Sequence, residues 1–206
     1  MARPHVLQLG PYPDWDQEPL DAAFVMHRWW EASDKDAFLT DVGPQVRAIA
    51  TRGDLGASAA MIAACPKLEL ISVFGVGYDG VHLPSCRARG IRVTNTPDVL
   101  TDDVADIAVA MLLALVRRMG DAEAWVRSGD WAAKGMFPLT RKVSGTRAGI
   151  LGLGRIGAAI AQRLQGFGME IAYSARRPKP GAEAWTFVPD AVALAERSDH
   201  LFVALA

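Results

Sequence analysis

Residues 147–168 read Arg-Ala-Gly-Ile-Leu-Gly-Leu-Gly-Arg-Ile-Gly-Ala-Ala-Ile-Ala-Gln-Arg-Leu-Gln-Gly-Phe-Gly, and few folds accept such a stretch. Gly152, Gly154 and Gly157 form G-x-G-x-x-G, a spacing that an ordinary tight turn can also produce in a chain with 19 glycines. The flanks separate the two cases. Ala148–Leu151 is the short apolar run expected of a strand buried on both faces. Ile156, Ile160, Leu164 and Phe167 recur at helical spacing on one face, and Gly168 is positioned to end that helix. Strand, glycine turn and amphipathic helix follow in the order that a dinucleotide-binding βαβ unit requires. Gly152 allows the sharp turn, Gly154 lets the backbone of Leu153, Arg155 and Ile156 approach a pyrophosphate, and Gly157 lets helix and strand pack closely. The helix N-terminus offers unpaired N–H groups and a positive dipole end to the phosphates.

A second strand is expected at Met169–Ser174, and its end selects the cofactor. An NAD site places an acid there to bind the ribose hydroxyls; this chain has Ser174-Ala175-Arg176-Arg177. Two guanidinium groups can pair with a 2′-phosphate, and Ser174 can add a hydrogen bond, so the reading is NADP(H). The competing reading is a solvated arginine pair before the turn at Pro178 and Pro180.

Upstream, apolar runs at His5–Leu9, Phe24–His27, Arg47–Thr51, Leu68–Phe74 and Arg92–Thr94 alternate with helical stretches such as Ala57–Ala64. That alternation marks βα units around a parallel sheet. Thr101-Asp102-Asp103 supplies a capping hydroxyl and two first-turn acids for a helix to about Arg118. Its apolar residues, Ile107, Ala108, Met111, Leu112, Leu113, Leu115 and Val116, wrap most of the circumference and need cover on nearly all sides. Between Gly120 and Ser144, aromatic residues stand in a polar segment, which reads either as an arm packed on a partner or as a surface loop. We expect two domains, 1–98 and 99–206.

The 22 basic and 23 acidic side chains nearly cancel and form no long block, so bulk charge gives no attraction for nucleic acid or a membrane surface. The longest apolar run, Val104–Val116, contains Asp106 and is shorter than the roughly 20 residues of a spanning helix. Cys65 and Cys86 lack metal-ligand spacing and read as free thiols of a cytoplasmic protein.

Four segments together resemble the D-isomer-specific 2-hydroxyacid dehydrogenases, nearest to their glyoxylate/hydroxypyruvate and hydroxyphenylpyruvate reductases. They are Val73-Phe74-Gly75-Val76-Gly77-Tyr78-Asp79, Gly90-Ile91-Arg92-Val93-Thr94-Asn95-Thr96-Pro97, Thr101–Arg118 and Gly149–Gly157. The resemblance implies an α/β fold with a flavodoxin-like N-terminal, substrate-side domain and a doubly wound (Rossmann) NADP-binding domain that is incomplete here. Strands 1 to 4 fall near Ile150, Ala172, Phe187 and Leu201–Leu205, which leaves Leu201, Phe202 and Val203 as an uncovered apolar edge. It implies that the amides of Val76 and Gly77 hold a substrate carboxylate and that Thr101 approaches the nicotinamide end of the cofactor as well as capping its helix. The apolar helix 101–118 calls for an interdomain or subunit interface, and with the 120–144 arm the expectation is a homodimer through both. The reaction it implies is reduction of a small 2-oxo acid, with a histidine, an acid and an arginine as catalytic groups. None of His5, His27, His82 and His200 fits the donor, so the chain carries no expected catalytic residue and is expected to be inactive alone. The alternative function is a non-catalytic NADP(H)-binding module of redox-responsive or corepressor type.

Overall fold

The computed structural model describes residues 2–205, and the chain divides into two units, Met1–Val99 and Leu100–Ala206, each with its own sheet. In the first unit the elements are β1 (His5–Gln8), α1 (Asp14–Ala23), β2 (Val25–Arg28), α2 (Lys35–Val42), β3 (Val46–Arg52), α3 (Ala59–Ala64), β4 (Leu70–Phe74), α4 (Leu83–Arg89) and β5 (Arg92–Thr94). All pairings are parallel, in the order β2-β1-β3-β4-β5. That is the flavodoxin-like order, in which the chain reverses direction across the sheet between β1 and β3. Leu7, Ile49 and Ile71, one from each of three adjacent strands, are completely buried; each such side chain contributes about 1.5–3 kcal/mol of transfer free energy. The helix expected from Ala57 starts two residues later. Ser58 Oγ accepts from the Met61 N–H and caps α3, while Ala57 is held in a parallel bridge with Val81.

The second unit contains α5 (Thr101–Val116), α6 (Met119–Arg127), α7 (Asp130–Lys134), β6 (Arg147–Leu151), α8 (Arg155–Gln165), β7 (Glu170–Ser174), β8 (Thr186–Phe187), α9 (Ala191–Glu196) and β9 (His200–Val203). Its sheet is parallel in the order β8-β7-β6-β9, the 3-2-1-4 half of a doubly wound domain. Ile160, Ala161 and Leu164 of α8 bury their shared face against β6 and α5. At the foot of the sheet, Asp199 accepts from both the backbone N–H and the guanidinium of Arg147, fixing β6 against β9. These bonds hold its carboxyl well below the usual range.

Three expectations need correction. Leu100, not Thr101, occupies the N-cap of α5, and no side chain caps it; Thr101 already lies within the first turn. Asp102 and Asp103 do lie in that first turn, and Arg163 of α8 pairs with both Asp102 and Asp106. Second, the first part of residues 120–144 is not a surface loop, because α6 and α7 make residues 119–134 mostly helical, whereas residues 135–144 are irregular. Arg118 turns left-handed at φ 51° and starts α6, which an Arg127–Glu123 pair at i,i+4 spacing supports. Trp125 folds back on this segment, donating from Nε1 to the Gly135 carbonyl at 3.0 Å and meeting Phe137 edge-on. Third, α8 ends at Gln165 with Gly166 as its C-cap, and Gly168 adopts φ 65° in the turn that follows. On α5, Ala105, Leu112 and Val116 are buried, whereas Ile107, Met111 and Leu115 are more than half exposed. Leu201 and Val203 of the edge strand β9 are likewise exposed.

Candidate functional site

The parallel ladder brings the C-terminal ends of β6 and β7 side by side, and a cleft of about 620 Å³ opens there. Gly152, Leu153 and Gly154 line it from the β6 turn; Ala175, Arg176, Arg177 and Lys179 line it from the end of β7. The three glycines are required for different reasons. Gly152 has φ 99°, and a Cβ there would lie 2.5 Å from the Ala204 carbonyl oxygen. A Cβ on Gly157 would overlap the Gly152 carbonyl oxygen, so α8 can sit on the turn only without one. Gly154 has an extended backbone, φ −83° and ψ −163°, and a Cβ on it would meet nothing within 4 Å. Neither packing nor backbone strain accounts for that glycine, which stands exposed in the cleft wall. It is also the N-cap of α8 and provides no side-chain cap, leaving first-turn N–H groups open to an anion. Leu153 is buried and Ile156 packs on the core, anchoring the loop, while Arg155 is exposed at the first helical position.

At the opposite wall, Arg176, Arg177 and Lys179 are exposed, and among the described residues none of them has an ion pair. Among the described residues no carboxylate lines the cleft. Lys179 is absent from the residues read out of the sequence; its signal was a third cation held between Pro178 and Pro180. Ser174 departs from expectation. It is buried, its Oγ donates to the Pro189 carbonyl at 3.2 Å, and it does not line the cleft. The inner strand wall has taken up the hydroxyl.

In the first unit, Val76 and Gly77 follow β4 in an irregular loop. The Val76 carbonyl accepts from Asn95 Nδ2 at 2.8 Å, and the Gly75 carbonyl from the Thr96 N–H at 2.9 Å. A Cβ on Gly53 would come within 2.8 Å of the Gly77 oxygen, so the two loops touch through backbone. These contacts use carbonyls. Among the described residues neither the Val76 nor the Gly77 N–H donates a hydrogen bond, which leaves a pair of amides available to an anion.

No histidine sits against a carboxylate in hydrogen-bond contact among the described residues. His5 Nδ1 and His27 Nε2 stand 2.9 Å apart with stacked rings; burial, then the proximity of His5, lowers the His27 pKa below its ordinary 6.5. His82 caps α4 by accepting from the Ser85 N–H, and His200 opens β9. Cys65 and Cys86 are free and buried, and burial pushes the Cys65 thiol up to about 11, far from a thiolate at neutral pH. Among the described residues no group of three His, Cys, Asp or Glu could hold a metal, and no helix is long and apolar enough to cross a membrane.

Residues 109–206 match the family described as D-isomer specific 2-hydroxyacid dehydrogenase, NAD binding domain. The chain belongs to the D-isomer-specific 2-hydroxyacid dehydrogenase family. Among solved members, it is 64% identical to the 2-hydroxyacid dehydrogenase from Ketogulonicigenium vulgare Y25, with a TM-score of 0.91 over 100% of this chain and 65% of that one. It is 42% identical to the NADPH-dependent glyoxylate/hydroxypyruvate reductase of Sinorhizobium meliloti, solved with NADP and malonate, with a TM-score of 0.87 over 99% and 63%. It is also 44% identical to hydroxyphenylpyruvate reductase of Plectranthus scutellarioides over 97% of this chain and 63% of that protein. The chain therefore spans somewhat less than two thirds of the length of these relatives. All three are dehydrogenases or reductases, which lends the non-catalytic alternative no support.

Proposed function

We propose that this chain is the substrate-side and cofactor-binding portion of an NADP(H)-dependent reductase that converts a small 2-oxo acid, glyoxylate or hydroxypyruvate, to the 2-hydroxy acid. The observation that carries the reading is the cation-lined end of β7, where Arg176, Arg177 and Lys179 face the glycine turn with no carboxylate among them. We assign residues 1–98 to the substrate side and 99–206 to the cofactor. A bound dinucleotide would supply the hydride. The residues present do the holding: the turn Gly152–Gly157 and the first N–H groups of α8 receive the pyrophosphate, Arg176 and Arg177 receive the 2′-phosphate, and Thr101 serves the nicotinamide end. The free amides of Val76 and Gly77 take the substrate carboxylate.

We assign the proton donor, its carboxylate and the clamping arginine to the part of the relatives' length that this chain does not span, because none of the four histidines has a donor's surroundings. The half-exposed Ile107, Met111 and Leu115 of α5, with Trp131, Met136 and Leu139, support a homodimer through α5 and residues 120–144. Two buried free thiols suit a cytoplasmic location.

The test is fluorescence titration of the purified chain with NADPH and NADH. Binding favours NADPH, and Arg176→Ala and Arg177→Ala each weaken it about tenfold, the size of one charge-assisted hydrogen bond. NADH affinity stays within twofold or so of the parent. Equal losses for both cofactors would refute the NADP(H) assignment.

A further inference from the structure

Pro178 and Pro180 have no N–H, so across residues 178–180 the Lys179 amide is the one backbone donor. It donates to the hydroxyl of Tyr173 at 3.0 Å. Tyr173 is 2% exposed, its ring packs on Phe187 with centroids 5.5 Å apart, and its carbonyl accepts from the Val188 N–H at 2.8 Å. The core therefore fixes where the hydroxyl stands, and the turn hangs from it. On the far side the turn is closed by the Ala182 N–H donating to the Lys179 carbonyl at 3.2 Å and by the Gly181 N–H donating to Glu183 Oε1 at 3.0 Å. Phenylalanine would fill the same core volume, so packing does not explain the hydroxyl; the turn that carries the three unpaired cations does.

We propose that Tyr173 is a positioning residue for phosphate discrimination: its buried hydroxyl holds the Arg176–Lys179 turn in place, with Lys179 as the third cation of a subsite for the 2′-phosphate of adenosine. This rests on the NADP(H) reading above and adds to it the residue that orders the subsite. Long cationic side chains lose much rotamer freedom when fixed, and a backbone fixed beforehand leaves less to order on binding. Releasing the turn therefore weakens contact with the 2′-phosphate and leaves the rest of the nucleotide site alone.

The experiment compares 2′,5′-ADP with 5′-AMP by calorimetry on the parent chain, Tyr173→Phe, Lys179→Ala and the double variant. The parent prefers 2′,5′-ADP. Tyr173→Phe lowers that preference about fivefold, the worth of one neutral hydrogen bond, and Lys179→Ala lowers it about tenfold; 5′-AMP affinity is unchanged in both. The double variant loses less than the product of the two, because both act through one turn. Hydrogen exchange of the Lys179 amide in the parent gives a reading that needs no variant, and that amide is protected. An unprotected amide, an unchanged preference in Tyr173→Phe, or equal loss of both ligands would overturn the proposal. A parent with no preference for 2′,5′-ADP would overturn it through the NADP(H) reading itself, a failure visible before any variant is made.

Discussion

Substituting two glycines of one motif separates a ligand requirement from a folding requirement. At Gly154 the backbone is extended, a conformation that suits β-branched residues, and a Cβ has open space. Gly154→Val should therefore cost no more than about 1 kcal/mol of stability, the worth of a poorer N-cap residue. Its branched side chain would stand where a pyrophosphate must approach the amides of the turn. Losing two charge-assisted hydrogen bonds of about 1.5–3 kcal/mol each weakens nucleotide binding at least ~100-fold. Gly157 behaves in the opposite way. Its Cβ would overlap the Gly152 oxygen, so Gly157→Ala must lift α8 from the β6 turn at about 1–3 kcal/mol, lowering Tm by roughly 2–4 °C per kcal/mol in a chain of this size. Thermal melts followed by circular dichroism, paired with NADPH titration, read both quantities. A Gly154→Val protein that binds NADPH like the parent would refute the reasoning, since the glycine motif would then be only a turn.

Two further outcomes are expected. The His27 pKa is lowered in the folded chain, so the unfolded chain takes up protons more readily; the associated stability is full above about pH 6.5 and is lost as pH falls below it toward the lowered value. Tm should therefore decline on acidification, and in His27→Asn the decline should flatten; an equally steep decline in that variant would show that the His5–His27 pair is not its source. In an NADPH-oxidation assay with glyoxylate or hydroxypyruvate, the 206-residue chain should not exceed the Gly154→Val control, because a positioned general acid typically contributes about 10²–10⁴-fold to such a step. Robust turnover would point to a catalytic group among its own residues, with His82 beside the glycine-rich loop as the first candidate.

The strands and the nucleotide motif were legible because their signals are local and periodic. A buried parallel strand is a short apolar run and a packed helix repeats every 3.6 residues, so β1, β3, β4, β5, β6, α8 and β7 fall within about two residues of where the pattern puts them. Gly152 and Gly157 were readable for the same reason, since the positive φ of one and the approach of the other to the Gly152 oxygen arise within six residues, whereas Gly154 answers no local backbone need. Helix ends were less legible. Thr101 has the chemistry of a cap, but the backbone at Leu100 takes that position, and a cap is decided by φ and ψ at one residue rather than by composition.

What only the tertiary structure decided is where polar groups point and which of them are already taken. Ser174 and Arg176 look equivalent in the sequence, yet Ser174 turns inward to the Pro189 carbonyl while Arg176 faces the cleft. Lys179 enters the site because a buried phenol six residues upstream holds its backbone, a contact with no periodic signature. His5 and His27 become a pair because β1 and β2 are neighbours in the sheet. Periodicity along the chain fixes which residues are buried; the partner of a polar atom is set by distances between elements, and those exist only once the chain has folded.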